Sequence, residues 1–257
     1  MITLKSMEQI EYIKIAGQVC ASCLSYLSLL SKPGISTLEL DRKAEEFIRS
    51  NGCIPATIGY DGYKYSICIS VNSQAVHCEP SNYIIKEGDE VKLDLVVDYN
   101  GWKADSAITV LIPPVLPAVR KLAENTYSAL LDGIRACVEG NTVQNISQAV
   151  YAARSDPSIG VIKEFTGHGI GRDIHEPPQI PNFVSKDKNA LLVAGMVVCV
   201  EPIFCLGDPA IYHKKGEWNT WMFSGQPVAH FEHTILITSG KPEILTLRKE
   251  EVGLWVL

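Results

Sequence analysis

Apolar residues recur at helical spacing in four segments of the chain. The first segment extends from residue 7 to the Lys32-Pro33-Gly34 break and opens with a capping box between Ser6 and Gln9. A shorter segment covers about 36–50, and two more begin near residues 116 and 142, the former ending near 138. The pattern therefore predicts a long helix followed by a shorter helix, twice along the chain.

Strand-like runs follow each helix pair. The first pair precedes YSICISVN and VKLDLVVDYNGWKADSAITV, and the second precedes MVVCVEPIF and HFEHTILIT. This repeated order predicts an α+β fold of two similar halves, roughly residues 7–110 and 116–238, which share one sheet and hold a site between them. No linker-like composition separates the halves, so we expect residues 1–257 to form a single domain.

Two acidic residues interrupt the apolar character of the longest strand pair. Asn100-Gly101 is a preferred two-residue hairpin turn, which places Asp105 opposite Val96 and on the same face as Asp94, about 7–8 Å away on the diagonal. Exposed or salt-bridged acids are the simpler alternative, but the neighbouring Leu and Val residues leave little solvent-facing character. Adjacent buried carboxylates repel each other and lose hydration, which is costly without a cation. The hairpin therefore predicts a cation site.

Further candidate ligands lie in the second half. The Gly-rich stretch FTGHGIGRDIHEPPQ contains His168 and His175, whose spacing is not that of a zinc site on one helix. Glu201 ends a strand-like run before Pro202, and Glu232 precedes another. Carboxylate oxygens combined with one imidazole suit divalent Mn, Fe, Co or Zn.

Composition narrows the class of protein. The formal net charge is −6, from 29 acidic and 23 basic residues, and no Lys/Arg stripe indicates a nucleic-acid partner. No apolar run approaches the length of a membrane span, and the N-terminus lacks the apolar core of a secretion signal, so we expect a cytoplasmic protein. Its eight cysteines are then expected to be reduced, with Cys20 and Cys23 packing inside the first helix rather than binding metal.

The motifs together resemble those of the type 1 methionine aminopeptidases, the short pita-bread metallopeptidases of family M24. The resemblance extends from SMEQIEYIKIAG through KPGISTLELD to HFEHTILIT, with the two hairpin aspartates, TGHGIGRDIHEPP, VEPI and FEHT in the family's order. It implies the pita-bread fold, with pseudo-twofold αβ halves and a central antiparallel sheet flanked by helices. It also implies that the initiator methionine is removed from nascent proteins.

The resemblance implies a centre of two divalent metal ions (Co, Mn, Fe or Zn) with a bridging hydroxide as nucleophile. The implied metal ligands are Asp94, Asp105, His168, Glu201 and Glu232. Asp105 and Glu232 are expected to bridge both ions, Asp94 to bind one, and the remaining two ligands to hold the other.

Catalytic and substrate-binding roles are implied in the same way. Glu201 is expected to carry a proton to the leaving amine, His175 to stabilise the scissile carbonyl, and His77 to orient the peptide. The methionine pocket is expected to be lined by Tyr60, Tyr63, Cys68 and Trp218. Two positions depart from the family's usual pattern, since Ile174 replaces a frequent aromatic residue and Thr57 a frequent cysteine.

Two alternatives remain from the sequence. An X-Pro dipeptidase or aminopeptidase P would share the metal ligands, but such enzymes usually carry a sizeable N-terminal domain, and they tend to lack the His that follows Glu232 here. A binding module that has lost its metals would lack some of the ligands, all of which are present. We therefore expect Met-initiated peptides and nascent chains at the ribosome as partners, with no nucleic acid or membrane, and a monomer.

Overall fold

All four predicted helices are present in the computed structural model, which describes residues 2–185 and 189–252. They are α1 Met7–Leu30, α2 Thr37–Ser50, α3 Pro117–Arg135 and α4 Val143–Ala152. The predicted capping box opens α1, with the Ser6 N–H donating to Gln9 Oε1 at 2.9 Å and the Gln9 N–H donating to Ser6 Oγ at 3.3 Å. The third helix ends three residues earlier than predicted, because residues 136–138 close tight turns instead.

The first half forms a four-stranded antiparallel sheet. Its strands are β1 Ile54–Pro55, β2 Cys68–Val71, β3 Glu90–Tyr99 and β4 Trp102–Leu111. The hairpin of β3 and β4 has the predicted register, with Val96 opposite Asp105. Asn100 and Gly101 in its turn have φ values of 52° and 79°, the left-handed conformation that a tight primed turn requires.

The second half consists of shorter antiparallel strands. They are β5 Ile159–Val161, β6 Gly167–Gly169, β7 Glu176–Ile180, β8 Val197–Val200, β9 Ile203–Leu206, β10 Ile211–His213, β11 Thr220–Met222, β12 Val228–His230, β13 His233–Leu236 and β14 Glu243–Ile244. They pair in the orders β14-β13-β8-β6-β7, β12-β9-β5 and β10-β11. The break between β8 and β9 falls at Glu201-Pro202, as the sequence predicts.

Strand β4 joins the two halves. Ala107 forms an antiparallel bridge with Glu232, and the Thr109 hydroxyl accepts from the His230 N–H and donates to its carbonyl. The expected shared sheet is therefore divided into separate ladders that meet at this bridge. The meeting point brings the acids of the hairpin to the strands that carry the acids of the second half.

The helices of each half pack against strands of the same half. Buried residues of α1 such as Ile13 and Leu24 belong to one core with Leu93 and Leu95 of β3, and Cys20 Sγ lies 3.4 Å from the Leu95 carbonyl. All eight cysteines are free and buried, as expected. Within the described residues, α1 is the one helix whose length and composition would allow it to cross a membrane. The core helix of a soluble protein can have the same length and composition, and α1 packs against β3 and β4.

Candidate metal centre and side-chain cavity

The acids of the two halves converge where the hairpin meets the β12–β13 segment. Asp105 lies on β4, and its backbone N–H donates to Thr234 Oγ1 at 2.9 Å. The Ser106 hydroxyl donates to the Glu232 carbonyl at 2.7 Å. These bonds fix the backbone positions of both acids, so that the two carboxylates face one buried space.

His168 and Glu201 complete the other side of this space. His168 lies on β6, and its Nε2 is 3.4 Å from Glu201 Oε1. Its Nδ1 lies 3.0 Å from the Gly169 carbonyl oxygen, which can only accept, so Nδ1 carries the proton and Nε2 presents a lone pair. Burial lowers the pKa of His168 to about 3, which keeps the ring neutral and able to bind a metal.

Four donor groups lie close enough to share one ion. One ligand atom from each of four residues lies within 4.8 Å of the others, and the four residues are Asp105, His168, Cys199 and Glu232. Three of them were predicted from the sequence. Cys199 was not, although it lies two residues before Glu201 and therefore on the same side of the strand run.

The carboxyl groups around this space all have raised pKa values. Burial raises the pKa of Asp94 to about 7, and burial with the neighbouring acids raises the pKa values of Asp105, Glu201 and Glu232. Asp105 Oδ1 and Glu232 Oε1 are buried and have no hydrogen-bond partner among the described residues. Unpartnered carboxylate oxygens beside a neutral imidazole fit divalent metal ions.

A narrow cavity of about 60 Å³ opens beside Asp94 and Asp105. All the residues predicted for substrate binding line this cavity, namely Tyr60, Tyr63, Cys68, His77, His175 and Trp218. Thr57, Val96 and Ile174 line it as well. The Tyr63 and Trp218 rings meet edge-on at 5.3 Å. Because the Thr57 hydroxyl donates to the Tyr65 carbonyl at 2.8 Å, it offers the cavity no free donor.

Two histidines flank the mouth of this cavity. His175 is exposed, with Nδ1 2.7 Å from the Tyr60 hydroxyl and its ring 4.4 Å from that of His168. His77 has a left-handed φ of 58°, and its ring lies edge-on to Phe165 at 5.0 Å. Burial, with a contribution from His175, lowers the pKa of His77 to about 4. Phe165 was not predicted, since a lone aromatic residue in a loop carries no pattern.

Residues 11–239 match the model of metallopeptidase family M24. The chain is 37% identical to methionine aminopeptidase 1 of Bacillus subtilis over 246 residues, covering 96% of this chain and 99% of that protein. The structure of a methionine aminopeptidase from Thermotoga maritima superposes with a TM-score of 0.93 at 34% identity, covering 96% of this chain and 99% of that one.

A prolidase from Pyrococcus furiosus shares the fold alone. Its TM-score is 0.75 at 23% identity, and the match covers 96% of this chain but 66% of that one. The α+β pita-bread architecture predicted from the sequence is therefore confirmed.

Proposed function

Because the chain belongs to metallopeptidase family M24, we propose that it is a metal-dependent aminopeptidase that removes N-terminal methionine from proteins. One observation carries the proposal: Asp105, which belongs to the buried donor group that includes His168, also lines a narrow cavity formed by aromatic rings and a thiol. Such a cavity suits one unbranched, polarisable side chain. A free N-terminus can then reach the acids while its first side chain fills the cavity.

The ligand set proposed for the centre accommodates two divalent ions. Asp105 and Glu232 would contribute to both ions, Asp94 would contribute to one of them, and His168 with Glu201 would contribute to the other. Co, Mn, Fe and Zn all accept these donors. When bound, such ions polarise the scissile carbonyl and lower the pKa of water toward neutrality. The unpartnered buried oxygens of Asp105 and Glu232 support the assignment of both residues as ligands.

Proton transfer and carbonyl binding are assigned to residues at the edge of the centre. Glu201, beside His168, accepts a proton and passes it to the leaving amine. His175 donates a hydrogen bond to the scissile carbonyl through Nε2, since its Nδ1 faces the Tyr60 hydroxyl. His77 binds the peptide beyond the scissile bond and orients it.

The cavity lining determines the first residue of the substrate. Tyr60, Tyr63, Cys68 and Trp218 surround a methionine side chain. Ile174 and Thr57 add an aliphatic and a small polar contact, so the cavity differs locally from one with an aromatic residue and a cysteine at these positions.

Hydrolysis of a Met-Ala-Ser peptide tests this function against the prolidase-like alternative. The protein is stripped with chelator, loaded with Mn²⁺ or Co²⁺, and assayed by mass spectrometry on Met-Ala-Ser, its N-acetylated form and an X-Pro dipeptide. We expect release of methionine from the free peptide alone. Cleavage of the X-Pro substrate with Met-Ala-Ser left intact would show that the specificity assignment is wrong.

The cellular setting follows from the substrate. Newly made chains are the source of N-terminal methionine, so nascent chains at the ribosome are the proposed partners and the cytoplasm is the proposed location. Neither a nucleic-acid partner nor a membrane enters the proposal, in agreement with the net charge of −6. We propose that residues 1–257 act as a single catalytic domain and as a monomer.

A further inference from the structure

The thiol of Cys199 lies within the candidate metal centre. Its Sγ is within 4.8 Å of a carboxylate oxygen of Asp105, a carboxylate oxygen of Glu232 and a ring nitrogen of His168. The side chain is fully buried on β8 and lies opposite Thr234 of β13. Nothing in the assigned reaction uses this sulfur, although it lies within the same 4.8 Å limit as the other three donors.

The hydrogen bonds around Cys199 leave its sulfur lone pairs free. Sγ lies 3.6 Å from Thr234 Oγ1, whose own proton is donated to the Asp105 carbonyl at 2.8 Å. Thr234 can therefore only accept, and the thiol can donate its proton to Thr234 Oγ1 or to the Glu232 carboxylate. The sulfur keeps its acceptor capacity, while the unpartnered buried oxygens of Asp105 and Glu232 independently show that a cation belongs in the same space.

We propose that Cys199 is an additional, sulfur ligand of the metal ion on the His168 side of the centre. The inference rests on the proposed function, since it adds a donor to that centre. On binding, the metal–sulfur bond forms and the thiol proton leaves to solvent, as for other cysteine ligands. A thiolate among hard oxygen donors shifts the preference of this ion toward Zn²⁺ and Cd²⁺ and away from Mn²⁺.

X-ray absorption on the reconstituted protein tests the sulfur ligand directly. With Zn²⁺ loaded into the full chain, we expect a sulfur scatterer at about 2.3 Å in addition to nitrogen and oxygen neighbours. The sulfur signal should vanish in Cys199→Ser. It should persist in Cys68→Ser, which alters the cavity thiol, and in Cys137→Ser, whose buried thiol lies near the Gly133 carbonyl in α3.

Metal affinity gives a second, independent measurement. Affinities are measured in competition with a chelator. Cys199→Ser should lose roughly 10- to 100-fold in Cd²⁺ affinity, which is the effect typical of mutating residues around a metal site. Its Mn²⁺ affinity should stay within about threefold of wild type. Equal losses for both ions would contradict a soft donor.

The outcomes separate this inference from the proposed function. Wild-type protein that binds Zn²⁺ with only nitrogen and oxygen neighbours overturns the sulfur ligand and leaves the oxygen-based centre intact. Wild-type protein that binds no metal overturns both. The absorption measurement on the unaltered chain needs no variant to fold, and together with Cys68→Ser it decides the question even if Cys199→Ser is unstable.

Discussion

Asp105 is the residue on which the proposed centre most depends. It combines one unpartnered oxygen, a place in the four-donor cluster and a backbone N–H held by Thr234. Asp105→Asn keeps the shape but removes the charge and one strong donor oxygen. We expect most of the bound metal to be lost, as measured by elemental analysis after gel filtration.

A matched control for this substitution lies on the same hairpin. Asp98 on β3 accepts from the Gly101 N–H at 2.7 Å and pairs with Lys103, outside the centre. Asp98→Asn should keep the wild-type metal content. If Asp105→Asn also kept it, Asp105 could not be a bridging ligand.

His175 acts on the substrate rather than on the metal in the proposed mechanism. Replacing it with Ala removes one donor to the developing oxyanion, which costs on the order of 10²–10³ in rate. We expect metal content to be unchanged and the loss to fall on kcat more than on KM, measured with Met-Ala-Ser. His213→Ala, which alters an exposed histidine on β10, is the control. Near-normal turnover of His175→Ala would assign His175 a structural role.

The sequence indicates the candidate site only where residue type and pattern are both unusual. Charged residues within apolar runs mark Asp94, Asp105 and Glu201, and each lies where this pattern predicts. Cys199 does not stand out from its apolar neighbours in this way, because free cysteine is among the most often buried residue types, as valine is. Only the pairing of β8 with β13 shows that its sulfur reaches the carboxylates.

Three strands are tied together by a buried ion pair next to the centre. Lys92 on β3 is almost fully buried, with Nζ 2.6 Å from the Asn72 carbonyl and 3.4 Å from Glu90 Oε1. The same Glu90 oxygen accepts the Val228 N–H of β12 at 2.6 Å. The pair therefore holds the end of β2, the start of β3 and the strand that leads to Glu232.

Loss of the lysine should destabilise this junction strongly. Lys92→Met keeps the length of the side chain but leaves the Glu90 carboxylate buried without its cation, a change that costs about 3–5 kcal/mol. We expect that loss in the free energy of unfolding, from denaturant titration of the metal-free protein. The double substitution with Glu90→Gln removes the unpaired charge and should recover a substantial part of it. A loss below about 1 kcal/mol for the single variant would show that the pair contributes little.

Element by element, the sequence predicts long regular segments better than short ones. The capped helices and the hairpin at Asn100-Gly101 have strong local signals, and all are present. Strands such as β10 and β12 span three residues each, too few to show alternation, and their positions depend on partners far along the chain. Lys92 likewise gives no signal of burial, because the Asn72 carbonyl that it contacts is distant in sequence, and so is Val228, whose N–H donates to its ion-pair partner Glu90.

At the scale of the whole molecule, the centre is a repulsive contact between the halves unless a cation is present. The hairpin supplies Asp94 and Asp105, and the second half supplies Glu201 and Glu232. Burial raises the pKa of Asp94, and burial with repulsion from neighbouring acids raises the pKa values of Asp105, Glu201 and Glu232. We therefore expect the metal-free protein to bind protons in the place of metal.

This linkage predicts opposite pH dependences with and without metal. A carboxyl whose pKa is raised in the folded state stabilises that state below its unfolded pKa, near 4, and the benefit is lost as pH rises through the folded value, about 7 for Asp94. The Tm of the chelator-stripped protein should thus fall by several degrees between pH 5.5 and pH 8. In the metal-loaded protein protons compete with the ions, so Tm should be constant or rise over the same interval.

Differential scanning calorimetry at several pH values distinguishes this linkage from general effects of pH. Other ionisable groups contribute equally to the stripped and loaded forms, so the difference in Tm between the two forms isolates the centre. Asp94→Asn, which removes one titrating acid, should flatten the slope of the stripped protein. Equal stability of the stripped protein at pH 8 and at pH 5.5 would contradict this prediction. It would mean that the fold does not hold the acids of the two halves together against their mutual repulsion.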